Sequence, residues 1–291
     1  MIARNQENEN EKFKVILNIL VHTASIRVNP RLIFFLIAHF SLLIYNYPMY
    51  YGIDYTYLIF ALPALLLGLW ASSAVKSRFA KYDRVQTKRG VTGSQAAAIL
   101  LRANGITDVK IQHIHGNLTD NYNPTTKILS LSDATYASSS IAAVGVAAHE
   151  TGHAIQHNVG YFPLNFRRSL VPVANLGSRL GPLLVLLGIG FGYSAQAEQY
   201  LPVMQLVTDI GLLLFAGATL FYLVTLPVEF DASWRALKIL KEANVFVDDE
   251  EIAGARNVLW AAAMTYVASA LSAIASFVRI LMISQRGRRR R

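Results

Sequence analysis

VMQLVTDIGLLLFAGATLFYLVTL, residues 203–226, carries one charge, Asp209, and passes straight into PVEFDAS at 227–233. A helix needs about 20 largely apolar residues to cross a bilayer, so this stretch reads as a spanning helix with Glu229 and Asp231 at its exit. Outward from it, the same test selects YLIFALPALLLGLWASSAV at 57–75 and VLWAAAMTYVASALSAIASFV at 258–278. LGPLLVLLGIGFGYSAQA at 180–197 is long enough only if VPVANLGS, 171–178, joins it. LIFFLIAHFSLLIY at 32–45 is short and interrupted by His39. Four to five spans are expected. Composition agrees: the 291 residues are 53% hydrophobic and 15% charged, against roughly 25% charged in soluble domains.

The net charge of +9 invites a nucleic-acid reading, but its placement opposes it. RGRRRR ends the sequence, and Lys76, Arg78, Lys81, Arg84, Lys88 and Arg89 crowd the end of the 57–75 segment. Cations beside spans record orientation or attraction to anionic lipid. They put residues 76–170 in the cytosol and the hairpin turn near AEQYLP outside. Arg235, Lys238, Lys241 and Arg256 then mark 227–257 as cytosolic again. Arg27 and Arg31 place the N-terminus inside if the first segment spans. RGRRRR conflicts with this scheme if 258–278 crosses fully, so that segment is expected either to re-enter or lie along the surface, or to override its charged tail. With no cysteine there is neither a disulfide framework nor a thiolate metal site. The polar start MIARNQENENEKFK does not have the pattern of a cleavable signal peptide.

The resulting division is an extension at 1–54, a span at 55–75, a catalytic region at 76–170, a membrane hairpin at 171–226, a cytosolic segment at 227–257 and a hydrophobic helix with a basic tail at 258–291. Within 76–170, GVTGSQAAAILLRANGI predicts a helix from Ser94 to Ala103 ended by Asn104-Gly105. Residues 108–114 and 127–133 read as short strands. A helix is expected from about Ser138, with a serine cap between 138 and 140.

That helix contains AAHETGHAIQH, 147–157. His149 and His153 stand one turn apart on one face, so both imidazoles can converge on one ion. Glu150, about 100° round the axis, can reach the ion's open side and deprotonate a bound water. H-E-x-x-H on a helix is among the more specific short motifs for zinc hydrolysis. Two histidines leave the ion one ligand short of a catalytic set. His157 continues the spacing but lies about 12 Å along the helix from His149, which makes it a rim or supporting residue. Valine, not histidine, stands where the longer H-E-x-x-H-x-x-G-x-x-H pattern would need it. Glu229 is acidic, returns to the same membrane face and follows a very apolar run, so it is the expected third ligand; Asp231, two residues on, is expected to support it.

Other polar residues carry weaker signals. His113 and His115, two apart, read as structural or substrate-rim residues, and Asp120 as a turn residue that binds local amides. Tyr122 and Tyr136 are candidate oxyanion donors. Gly188, Gly190 and Gly192 read as a helix-packing ridge, and residues 127–133 as a sheet edge on which a substrate strand can align.

KSRFAKYDRV, RGVTGSQAAAILLRANGI, GNLTDNYNPTTKILSLS, VAAHETGHAIQH, YFPLNFRRSLVPVANLGS and LVTLPVEFDASWRALKIL together resemble the YugP-type neutral zinc metallopeptidases, a family of bacterial multi-pass membrane proteins. The resemblance runs from about residue 55 to residue 280. The motif order is also similar to that of larger CAAX-protease-like membrane gluzincins, in which a glutamate after a membrane hairpin joins the two histidines. Where the family's turn commonly has histidine and aspartate, this sequence has Asn121 and Asn123, which argues against a metal role for the turn. The resemblance implies a multi-pass α-helical membrane protein whose cytosolic α+β zincin-like domain contains a small sheet. It implies Zn2+ held by His149, His153 and Glu229, and a zinc-bound water activated by Glu150 to cleave polypeptides, including membrane or membrane-proximal ones. A non-catalytic zinc scaffold and a transporter are the competing readings. The first has no use for an unligated base, and the second needs polar residues inside the spans.

Overall fold

In a computed structural model that describes residues 55–191 and 198–289, the apolar runs and capping signals become six helices and three strands. They are α1 (Tyr55–Tyr82), α2 (Gly93–Ala103), β1 (Lys110–Ile114), β2 (Asn121–Asn123), β3 (Ile128–Ser132), α3 (Ile141–Asn158), α4 (Phe162–Phe191), α5 (Leu201–Glu242) and α6 (Asp249–Arg289). The expected segment at 32–45 lies outside the described residues, as does Gly192. Among the described residues, four helices are long and apolar enough to cross a membrane: Ile59–Tyr82, Phe162–Phe191, Leu201–Glu242 and Asp249–Gln285. Leu66 and Trp70 on α1, Leu187 on α4 and Leu213 on α5 are exposed, as lipid-facing side chains would be.

The expected helix starts are set by local hydrogen bonds. Thr92 caps α2 in a reciprocal capping box with Gln95, and the Ser140 hydroxyl accepts from Ala143 N–H to start α3. α3 is almost entirely buried, and its small residues let neighbours come close. Val144 and Ala148 pack with Leu100 of α2, Leu240 of α5 and Ala255 of α6. Ala147 meets Leu129 and Leu131 of β3.

The sheet has the order β1-β3-β2, with β1 parallel and β2 antiparallel to β3. This corrects the expectation of an exposed edge at 127–133. β3 is the central strand, paired on both sides, and the free edges belong to β1 and β2. The three-residue β2 was not foreseen, because Asn121–Asn123 is too short and polar to read as a strand.

Two helices also exceed their expected limits. α4 starts at Phe162, and α5 continues without a break through Pro227 to Glu242. Beyond the proline, Val228, Ala232, Ala236 and Leu240 recur every four residues and are buried, so packing sustains the helix. α5 is therefore both long and apolar enough to cross a membrane and a wall of the region around α3. α6 is likewise one unbroken helix, packed against α1 and α5.

Candidate metal centre

α3 and α5 cross at Gly152. A Cβ built there would lie 2.5 Å from the Ala232 carbonyl oxygen, so only glycine allows this approach without displacing a backbone. The histidines lie within one turn of Gly152, and Glu229 lies three residues before Ala232. The crossing thus brings the three side chains together.

His149 Nε2 is 3.3 Å and His153 Nε2 is 3.5 Å from Glu229 Oε2. The three candidate ligand atoms all lie within 4.8 Å of one another. Tetrahedral bonds of about 2.0–2.1 Å place neighbouring ligand atoms roughly 3.3–3.4 Å apart, so the two measured separations suit one zinc ion. Glu229 is 3% exposed, and its Oε2 is buried without a hydrogen-bond partner. A buried acceptor left unsatisfied is costly, and a cation between the imidazoles would satisfy it. The donor set of two imidazoles and one carboxylate fits zinc.

The other atoms of these ligands are occupied. Arg167 at the start of α4 donates from Nη1 to Glu229 Oε1 at 2.8 Å. His149 Nδ1 lies 3.1 Å from the Ser233 hydroxyl, and His153 Nδ1 lies 3.0 Å from Gln156 Oε1. Both Nε2 atoms are left facing Glu229. Asp231 does not join the ligand group; it accepts from Gln156 Nε2 at 2.8 Å and from Arg235 Nε at 2.6 Å.

Glu150 opens, with His153, Glu229, Arg167 and Tyr266, onto a cavity of about 260 Å³. Burial pushes its carboxyl up to about 7; His149 opposes this rise and the charge of Glu229 adds to it. The backbone of Tyr122 on β2 also opposes the rise.

The remaining sequence candidates stand outside the three-residue ligand group, although Asp120 and Tyr122 line the same cavity as Glu150. His157 Nδ1 sits 2.9 Å from the Tyr122 hydroxyl, away from the three-residue group. His113 contacts Asp133 at 2.7 Å, and His115 is almost fully exposed. Asp120 accepts from Ser132 N and Oγ at 2.8 and 2.9 Å. The Tyr122 hydroxyl is thus engaged with His157, and Tyr136 packs on His113. The polar donors that open onto the cavity include Arg167 and Tyr266, which sequence reasoning missed. Gln156 and Ser233 were missed too, although spacing offered a hint: Gln156 is one turn beyond His153, and Ser233 one turn beyond Glu229.

Comparison with known proteins agrees with this geometry. Residues 57–285 match the model of a family described as "Putative neutral zinc metallopeptidase". The sequence is 40% identical over 232 residues to "Putative membrane protease YugP" of Bacillus subtilis (strain 168), covering 80% of this chain and 98% of that protein. No solved structure matches. A match over nearly the whole described region, together with a full-length relative, shows that this chain belongs to that family of zinc metallopeptidases.

Proposed function

We propose that the protein is a membrane-embedded endopeptidase in which His149, His153 and Glu229 hold zinc and Glu150 is the general base. One observation carries the reading: a buried carboxylate, not needed as a ligand, opens onto the same cavity as the ligand group. When bound, zinc polarises the scissile carbonyl and lowers the pKa of water. Glu150, a buried carboxylate on the cavity beside the ligand group, would accept the proton of the attacking water and return one to the leaving amine. Arg167, held by Glu229, and Tyr266 stand at the cavity where charge develops on the carbonyl oxygen.

The substrate strand aligns on the free edge of β2, whose residues Asn121 and Tyr122 line the cavity. Main-chain hydrogen bonds to such an edge place a carbonyl with little demand on side chains. Because α4, α5 and α6 contribute Arg167, Glu229 and Tyr266, the substrates are polypeptides in or next to the membrane. The cations at 76–89 support a cytoplasmic catalytic side.

The test is Glu150→Gln in the purified full chain. Zinc content and thermal unfolding should match wild type while peptide hydrolysis falls by about 10²–10⁴-fold. Near-normal turnover in this variant would remove Glu150 from the mechanism.

A further inference from the structure

We infer that Gln156 is a positioning residue that fixes the ligand tautomer of His153. The inference rests on the zinc reading above and adds the group that prepares one ligand for the ion. Gln156 is fully buried on α3, one turn beyond His153. Its Nε2 lies 2.8 Å from the Val228 carbonyl oxygen and 2.8 Å from Asp231 Oδ2. A backbone carbonyl and a carboxylate only accept, so the amide end of Gln156 must face them, and both its hydrogens are used. Its other end is therefore the carbonyl oxygen, 3.0 Å from His153 Nδ1. That oxygen also only accepts, so Nδ1 must carry the proton. The neutral ring then has its lone pair on Nε2, the atom that faces Glu229 Oε2.

The chain of constraint extends one residue further. Arg235 donates from Nε to Asp231 Oδ2 at 2.6 Å, one turn along α5, and anchors the oxygen that the Gln156 amide faces. His149 has no equivalent device: the Ser233 hydroxyl at 3.1 Å can rotate to donate or accept, so it tolerates either tautomer. Of the two imidazoles, His153 alone has its tautomer dictated by its neighbours. Partners behind a metal-bound histidine typically change metal affinity 10–100-fold when mutated.

Zinc affinity, measured on the purified full chain by competition with a chromophoric chelator and without substrate, tests this. Gln156→Leu removes the acceptor and should weaken zinc binding by about 10–100-fold. Gln156→Glu sets a carboxylate against Asp231 and should also weaken it. Combining Gln156→Glu with Asp231→Asn restores a donor opposite the new carboxylate and should recover part of the affinity, because the Val228 carbonyl still faces an acceptor and Arg235 loses the oxygen it donates to. Packing loss alone predicts no such rescue, and the pair remains informative if the leucine variant does not fold. Wild-type affinity in Gln156→Leu, or losses that add in the double variant, would overturn the inference. A wild-type chain that binds zinc but cleaves nothing would overturn the peptidase reading and leave this one standing. A wild-type chain that holds no zinc would overturn both.

Discussion

Gly152, inside H-E-T-G-H, shows how one hydrogen atom can set a metal centre. Its hypothetical Cβ would lie 2.5 Å from the Ala232 carbonyl oxygen and 3.2 Å from two further atoms of that residue. Gly152→Ala should push α5 away from α3, cost about 1–3 kcal/mol through overpacking, and loosen the Glu229 approach. Both the melting temperature and the zinc affinity of the purified variant should fall; unchanged values would mean that the crossing has slack. At this scale the sequence was informative wherever chemistry follows from spacing along one helix, as with His149, Glu150 and His153. Glu229 was reachable because it exits an apolar run on the face to which the hairpin returns. Gln156, Ser233 and Arg167 were not, because their meaning depends on which turn of α5 lies opposite α3, and no local pattern encodes that.

The hairpin of α4 and α5 makes a sharper prediction than the glycine ridge implied. A Cβ on Gly188 would collide with the Thr208 hydroxyl and lie 2.6 Å from the Met204 carbonyl, whereas one on Gly190 meets nothing within 4 Å. Two residues further along a helix is about 200° round the axis, so Gly190 faces away from the seam that Gly188 forms. Gly188→Leu should therefore lower thermal stability in detergent, by about 1–3 kcal/mol, and with it activity, because the hairpin carries Glu229. Gly190→Leu should change neither. Equal effects in the two variants would contradict this packing. Helices with capping signals, α2 and α3, were legible in the sequence. The sheet order was not, since alternation in 127–133 predicts a strand but not that two partners will cover it. Nor was the length of α5: the apolar run ends at Leu226, and the buried positions Val228, Ala232 and Ala236 that carry the helix on lie among polar residues.

Among the described residues, one of four long apolar helices, α5, delivers a buried acidic residue to the histidine pair of α3. The cytoplasmic orientation proposed from the cations at 76–89 is easy to probe, because the sequence has no cysteine. His115 is 98% exposed in its side chain, so His115→Cys should resist a membrane-impermeant maleimide in intact cells and react after lysis. Labelling before lysis would put the catalytic region on the outer face. In the proposed centre two helices distant in sequence hold one zinc ion through His149, His153 and Glu229, while His157 contacts Tyr122. Metal analysis of wild type, Glu229→Gln and His157→Gln, purified side by side in one detergent, tests it most directly. The account predicts that Glu229→Gln loses most of its zinc and His157→Gln keeps it; full zinc in the first with loss in the second would contradict it.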